Sequence, residues 1–269
     1  MRINWFSNSP SACTGYGVQT KIFTPRLAKL LDKGLSITAF YGVQSGVLNM
    51  NGIKVYPNFK HPYGMDVIGA HAVWDQADAV ITLMDIWVVT PENIPMPWFP
   101  WFPIDHEPMP DNVLASLRKA TKRITMSKFG QRMAEMAGID TWYIPHGVET
   151  DVFKPVDREE SRAHLEWPQD KFIVGMVAAN KGNPSRKAFY EQIAAFAALH
   201  HEHPDTMMYL HTDRGLNGGD VVNLVKFCKR MGLEIGKDVW FADPYMYGLG
   251  FPDEYMRDAY NGMDVRSEE

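Results

Sequence analysis

This chain contains little cysteine, which argues against a disulfide-rich protein and against a protein with a cysteine zinc site. Only Cys13 and Cys228 occur among 269 residues, far apart and in no CxxC pattern. Neither a disulfide framework nor a cysteine zinc site is therefore predicted. A reducing compartment, the cytoplasm, is the expected location.

Long apolar runs and long basic runs are also missing. The most apolar region, residues 79–104, is interrupted by Asp85, Glu92 and several prolines, so it lacks the roughly 20 apolar residues of a membrane-spanning helix. The first residues contain no apolar segment typical of a secretory signal. With a net charge of -5, strong non-specific attraction to nucleic acid is not expected. We expect a soluble globular protein with no transmembrane segment and no nucleic-acid partner.

What the sequence does contain is an alternation of short apolar runs with longer amphipathic ones, which is typical of a parallel α/β sheet. A polar stretch with Pro155 and Pro168 separates two such sets. The expected organisation is an α/β protein with two Rossmann-like, doubly wound domains. The first spans residues 1–148, an interdomain linker spans 149–170, and a partial second domain spans 171–269.

The periodicity also places the individual elements. Strands are expected at 3–6, 37–41, 53–56, 79–83, 98–104, 124–126 and 142–144, and then at 172–178, 207–211 and 239–241, with a further strand beginning at 264–265. Helices are expected at 18–32, 66–75, 112–120 and 128–137, and then at 188–198, 220–231 and 255–263.

A basic loop follows the first strand of the second set. Residues 175–187 read GMVAANKGNPSRK, so Arg186 and Lys187 stand immediately before a predicted helix. The free N–H groups and positive dipole end of a helix, together with two cations, form a setting that can hold a diphosphate. An exposed basic turn is the alternative interpretation.

Two groups of polar residues in the first set are further candidates. Thr14 to Gly17 form a GxG turn, but Thr20 stands where a dehydrogenase fingerprint has its third glycine. His106 follows a predicted strand end, and a locally bonded loop histidine is its alternative. Asp105 and Glu107 flank it and could make polar contacts to sugar hydroxyls, but a hydrolase acid/base pair is not predicted.

Two clusters of residues resemble a metal site and a carbohydrate site, but their sequence context favours simpler interpretations. His200, His201 and His203 close a predicted helix before Pro204, which indicates a solvated helix end rather than a metal site. The aromatic cluster Trp98, Phe99, Trp101 and Phe102 resembles a carbohydrate-stacking platform in composition. Its alternation with prolines in a predicted buried strand favours packing instead.

Residues 144–155, IPHGVETDVFKP, resemble the interdomain signature of family 4 retaining glycosyltransferases, which have the GT-B fold of two facing Rossmann-like domains. Residues 124–140 are similar to the strand and helix before that signature, 174–187 to the donor-phosphate strand and loop, and 256–265 to the helix entering the next donor-domain strand. The resemblance covers most of the chain in the right order.

The resemblance implies roles for particular residues. Arg186 and Lys187 would neutralise the donor diphosphate and stabilise the leaving nucleotide without a metal or other cofactor. His106 would contact the transferred sugar. The resemblance also implies a donor and phosphate site that includes Gly15, Gly17 and Asn180, and a hinge loop shaped by Gly147, with His146 beside the interdomain cleft.

The sequence departs from the family pattern at its end. Family members continue after the strand at 264–265 into a Gly-rich loop and a helix whose two glutamates bind the donor sugar and the ribose. We therefore expect a truncated donor domain, which is either a fragment of a longer reading frame or a homologue that has lost the donor-sugar subsite.

The function expected from the resemblance is hexosyl transfer from a nucleotide-diphosphate sugar to a sugar, lipid or protein acceptor, with retention of configuration. A non-catalytic nucleotide or glycan-binding module, or a partner subunit, is the main alternative. A nucleotide-sugar epimerase of the same fold is a further one.

Overall fold

The computed structural model describes residues 1–43, 45–216 and 221–267. They form two compact units, residues 1–148 and residues 149–269, called here the first unit and the second unit. None of the helices in the described ranges combines the length and apolarity needed to cross a bilayer.

The first unit is an α/β layer structure around one sheet. Its elements are β1 (Ile3–Ser7), α1 (Gly15–Ala28), β2 (Leu35–Ala39), β3 (Leu48–Met50), β4 (Ile53–Pro57), α2 (Ile68–Trp74), β5 (Ala79–Leu83), β6 (Trp98–Phe102), α3 (Asp111–Leu117), β7 (Arg123–Thr125), α4 (Lys128–Met136) and β8 (Thr141–Tyr143). The strand order is β3-β4-β2-β1-β5-β6-β7-β8, and every pair is parallel except β3 with β4. All five residues of β1 and of β2 are buried, as expected for a parallel sheet covered on both faces.

The second unit repeats this plan with fewer strands. Its elements are α5 (Arg158–His164), β9 (Phe172–Val177), α6 (Phe189–Glu202), β10 (Thr206–His211), α7 (Leu224–Arg230), β11 (Val239–Phe241), α8 (Pro244–Leu249), α9 (Asp253–Gly262) and β12 (Val265–Arg266). The strand order is β11-β10-β9-β12, with all pairs parallel. The helix expected at 220–231 is observed from Leu224, and Asp220 lies outside the described residues.

Residues 149–170, predicted to be a linker, belong to the second unit and contain α5. Asp157 caps this helix by accepting a hydrogen bond from the Glu160 N–H at 3.0 Å. The buried Arg162 donates from Nε to the Gly262 carbonyl at 2.8 Å and from an Nη to Asp264 at 2.5 Å. These contacts attach α5 to the end of α9, so this stretch is a packed part of the second unit.

The aromatic cluster of β6 is packed, as the sequence favours. Trp98, Trp101 and Phe102 are at most 3% exposed. The Trp98 indole N–H donates to Thr82 Oγ1 at 2.9 Å, and the Trp101 indole N–H donates to the Ile144 carbonyl at 2.8 Å. Buried rings whose polar atoms are already bonded have no face to offer a sugar.

Each sheet has a point where the chain reverses the direction in which it adds strands. In the first unit, the chain places β2 on one side of β1 and later β5 on the other. In the second unit, β10 lies on one side of β9 and β12 on the other. In open α/β sheets, ligands bind outside the carboxyl ends of the strands at such points. The fold therefore indicates one crevice between β1 and β5 and one between β9 and β12.

Candidate functional site

A cavity of about 310 Å³ lies at the carboxyl ends of β9 and β12. Residues 176–178 form one wall, and the polar lining comes from Lys187, Gln192, Arg266 and Ser267. Two of these four side chains are cations, and they come from different parts of the second unit. The crevice expected from strand order is thus a real cavity with a positively charged lining.

The loop after β9 leads Lys187 into this cavity. Lys187 is half-buried, whereas Arg186 is exposed and is not among the described residues that line the cavity. Ala188 then adopts a left-handed conformation with φ of 49° immediately before α6. Its methyl group cannot accept a hydrogen bond, so the first N–H groups of α6 have no side-chain cap from that residue.

A short hydrogen-bond network holds the lining residues together. Gln192 Nε2 donates to the Lys187 carbonyl at 3.0 Å, and Ser267 Oγ donates to Gln192 Oε1 at 2.5 Å. The Ser267 N–H in turn donates to the Gly175 carbonyl at 2.8 Å. Lys187 and Ser267, which lie far apart in sequence, are therefore held against the same first turn of α6.

Asn180 organises the loops beside this cavity. Its Nδ2 donates to the carbonyls of Asp213 at 3.1 Å and Val222 at 2.7 Å, and its Oδ1 accepts from the Val222 N–H at 3.2 Å. Its own N–H donates to Thr212 Oγ1 at 3.0 Å. Every N–H of this buried residue is therefore already donated within the protein, to the loops that contain Thr212, Asp213 and Val222.

The crevice of the first unit lies at the start of α1. Thr14 caps this helix by accepting from the Gly17 N–H at 3.1 Å. A Cβ at Gly17 would lie 2.1 Å from the Ala12 carbonyl oxygen, whereas a Cβ at Gly15 would meet nothing within 4 Å. Gly17 therefore permits close packing of the preceding loop, whereas a side chain at Gly15 would meet open space.

These two glycines allow a matched test. We expect Gly17→Ala to lower the free energy of unfolding of the first unit by about 1–3 kcal/mol, because the new methyl group overlaps backbone. Gly15→Ala should leave that stability the same or slightly higher, since alanine favours a helix. Urea unfolding of both variants measures the difference. Equal stabilities for the two variants would contradict the assignment of Gly17 to packing.

His106 lines a second cavity, of about 260 Å³, together with Asp85, Trp87 and Asp105. His106 Nδ1 lies 2.5 Å from Asp105 Oδ1, so the local bond that the alternative interpretation requires is present. The neighbouring Tyr16 hydroxyl donates to Asp85 Oδ2 at 3.4 Å. Burial, reinforced by Asp85, raises the pKa of Tyr16, which therefore stays protonated at neutral pH. The cavity offers carboxylates, an imidazole and an exposed indole, which are groups that sugar hydroxyls and ring faces can contact.

His146 and Gly147 are held against the first unit by their neighbours. Gln19 Nε2 donates to the Gly147 carbonyl at 3.0 Å, and the Gly147 N–H donates to Gln19 Oε1 at 2.7 Å. The His146 ring packs edge-on against Trp101 with centroids 5.1 Å apart, and burial lowers its pKa. This doubly bonded arrangement gives the end of the first unit a defined conformation.

The predicted site residues divide between the two units. The first unit contains Gly15, Gly17, His106, His146 and Gly147, and the second contains Asn180, Arg186 and Lys187.

Sequence reasoning missed several residues that the structure places at these sites, among them Gln19, Asp85 and Arg266. No motif marks Gln19 or Asp85. The position of Arg266 directly after a predicted strand is the one signal that could have indicated it.

The histidines at the end of α6 have different surroundings. His200 Nδ1 lies 3.1 Å from Thr206 Oγ1, and its Nε2 lies 3.3 Å from Asp238 Oδ1. His201 and His203 are exposed. Across residues 1–43, 45–216 and 221–267, no group of three His, Cys, Asp or Glu side chains is arranged to hold a metal ion.

Comparison with known proteins identifies the fold. No protein-family model matches the sequence, and no curated protein matches it. Among solved structures, sucrose-phosphate synthase from Thermosynechococcus elongatus is similar with a TM-score of 0.74 and 16% identity, over 99% of this chain and 74% of that one. WaaG, a glycosyltransferase involved in lipopolysaccharide biosynthesis, is similar with a TM-score of 0.67 and 11% identity, over 99% and 74%.

A third similar structure is the E. coli trehalose-6-phosphate protein bound with UDP-2-fluoro glucose, with a TM-score of 0.61 and 12% identity, over 99% of this chain and 77% of that one. At these identities the likeness concerns the fold. The chain has the GT-B fold of glycosyltransferases, which confirms the fold that the sequence resemblance predicts.

Proposed function

We propose that this protein is a glycosyltransferase that moves a hexosyl group from a nucleotide-diphosphate sugar to a sugar, lipid or protein acceptor, with retention of configuration. The cavity at the reversal point of the second sheet is the observation that carries the proposal. It lies where this class of fold binds ligands, and Lys187 and Arg266 line it. A positively charged crevice of this kind suits a diphosphate.

The proposed chemistry needs a cation beside the leaving group. As the bond between the sugar C1 and the diphosphate oxygen breaks, negative charge grows on that oxygen. A fixed cation stabilises the transition state more than the ground state, because the charge that it meets is larger there. Lys187 lines the cavity, so in the proposed reaction it supplies that positive charge without a metal ion, and the exposed Arg186 before it adds to the positive field of the loop.

The first unit has the proposed sugar contacts. The cavity with His106, Asp105 and Asp85 presents hydrogen-bond acceptors for hydroxyl groups, and Trp87, which is 63% exposed, presents an aromatic ring at its edge. Carboxylates and imidazoles accept hydrogen bonds from hydroxyls, and exposed indoles pack against sugar rings. We assign this cavity to the transferred sugar or the acceptor.

Nucleotide binding tests the donor site directly. We expect calorimetric titration with UDP, GDP and ADP to show binding of one nucleotide, and Arg186→Ala/Lys187→Ala to weaken it about 10- to 100-fold. The double variant Lys229→Ala/Arg230→Ala is the matched control, because it removes the same charges from exposed positions at the last turn of α7. An unchanged dissociation constant in the Arg186/Lys187 variant, or an equal loss in the control, would reject the assigned donor site.

A transfer assay tests the reaction. With the matching nucleotide sugar, nucleotide diphosphate should be released only when an acceptor is present, and NMR of the product should show the anomeric configuration of the donor. Binding without release on any acceptor would favour a non-catalytic binding module. Conversion of the nucleotide sugar without an acceptor would favour an epimerase.

A further inference from the structure

We propose that Arg266 and Lys187 form the cation pair that binds the diphosphate. Arg186 is not part of that pair. This inference rests on the proposed function and deepens it, because it concerns the same cavity and names a further binding residue. Arg266 lies at the end of β12, which pairs with β9, and it is far from Lys187 in sequence. It is brought to the cavity by strand order rather than by a contiguous motif.

The placement of the two cations supports the pairing. Lys187 enters from the loop between β9 and α6, and Arg266 enters from β12, so the two approach one cavity from different elements. A diphosphate presents oxygens on two phosphorus centres, and cations from different elements can meet both. Arg186 and Arg266 are both exposed to solvent, but of these two only Arg266 is among the described residues that line the cavity. Adjacent residues such as Arg186 and Lys187 do not have to face the same cavity.

The surroundings of Arg266 favour one position of its guanidinium. Its Cζ lies 5.3 Å from the centroid of the Tyr260 ring, which is a cation–π distance. The following residue, Ser267, donates hydrogen bonds to Gln192 Oε1 and to the Gly175 carbonyl. An arginine ordered before binding loses less conformational freedom when it meets an anion. Its planar guanidinium can also donate two parallel hydrogen bonds to one phosphate.

The size of the cavity agrees with a diphosphate. Its volume of about 310 Å³ is at the lower end of ligand pockets, which span about 300–1,000 Å³. Such a cavity suits the charged centre of a nucleotide sugar better than the whole molecule. We therefore expect the pair to distinguish a diphosphate from a monophosphate.

The test is calorimetric titration of the full chain with UDP, UMP and inorganic pyrophosphate. Arg266→Gln should weaken pyrophosphate and UDP binding about tenfold, and should change UMP binding less. Arg186→Gln should weaken all three by about threefold or less, as for an exposed charge outside the cavity. Arg230→Gln, an equal charge change at an exposed position on α7, is the control. Thermal unfolding confirms that each variant is folded.

The outcomes separate the inference from the proposed function. Pyrophosphate binding that Arg266→Gln weakens, without binding of any nucleotide, would support the cation pair and reject the nucleotide-sugar function. Nucleotide binding that Arg266→Gln leaves unchanged would reject the cation pair alone. An equal loss in Arg230→Gln would also reject it, because general electrostatics would then explain the effect. Absence of binding of all three probes would overturn both.

Discussion

Replacing Asp264 by asparagine is expected to lower the free energy of unfolding of the second unit by about 3–5 kcal/mol, the usual effect of removing one partner of a buried ion pair. Its carboxylate is 10% exposed and accepts from Arg162 and Arg158, each at 2.5 Å, and from the Ile173 N–H at 2.7 Å. Arg162, at 1% exposure, would keep its charge without a counter-ion. Urea unfolding, monitored by hydrogen exchange in peptides from the second unit, measures the loss of stability.

Arg158→Gln is the matched control for this prediction. Arg158 bonds the same carboxylate, but its side chain is 51% exposed. An exposed ion pair contributes about 1 kcal/mol or less. If the loss in Arg158→Gln equals the loss in Asp264→Asn, burial of the Arg162 pair does not explain the effect.

The same carboxylate gives the second unit a defined response to acid. Burial acts to raise the pKa of Asp264, but hydrogen bonds from the Ile173 N–H, Arg158 and Arg162 outweigh it and leave the pKa below the ordinary value of 3.8. Because the folded-state pKa is lowered, the stability from this group is present above the unfolded value and is lost as pH falls through the folded value. The difference in free energy of unfolding between the wild type and Asp264→Asn should therefore shrink as the pH falls below 3.8.

Most strands of the two sheets are visible in the sequence. The predicted strands at 79–83 and 239–241 coincide with β5 and β11. Buried parallel strands read as short apolar runs, so periodicity alone locates them. The strand order agrees with the doubly wound arrangement that the alternation predicts.

β3 and α5 are among the elements that the sequence reasoning missed, and for different reasons. β3 is short and at the sheet edge, but Asn51 and Gly52 both have positive φ between β3 and β4, and an Asn-Gly pair is a strong hairpin signal. α5 has a charged, proline-flanked sequence, and the main-chain carbonyls around Arg162 that stabilise it cannot be seen in the sequence. The capping pair Asp157 and Glu160 was its one local indication.

The candidate site was only partly predictable for a geometric reason. Local sequence indicates the basic loop after β9, because strand, loop and helix are contiguous there. It does not indicate which side chain of that loop faces the cavity, or that Asn180 uses its donors within the protein. Arg266 reaches the cavity only because β12 pairs with β9. Pairings between distant strands are what the structure adds.

Trp101→Ala is the second substitution with a large expected effect, about 3–5 kcal/mol in the free energy of unfolding of the first unit. Trp101 is 3% exposed and packs edge-on against Trp5 and Phe23, with ring centroids 6.1 and 4.7 Å away. Its indole N–H also donates to the Ile144 carbonyl. Loss of this ring leaves a cavity and an unpaired carbonyl beneath the segment that contains His146. Urea unfolding measures the effect.

Two variants separate packing from a carbohydrate-stacking role for Trp101. Trp101→Phe keeps an aromatic ring but removes the indole N–H, so its stability should fall by about 1–3 kcal/mol, less than in the alanine variant. Trp142→Ala removes an indole that is 51% exposed and contacts Lys122 by a cation–π interaction, which contributes about 0.5–1 kcal/mol at exposed sites. If Trp101→Ala is as stable as the wild type but no longer binds sugar, the role of Trp101 is sugar binding and not packing. Unfolding losses in the order Trp101→Ala, Trp101→Phe, Trp142→Ala instead follow directly from burial, because each step removes fewer buried contacts than the one before.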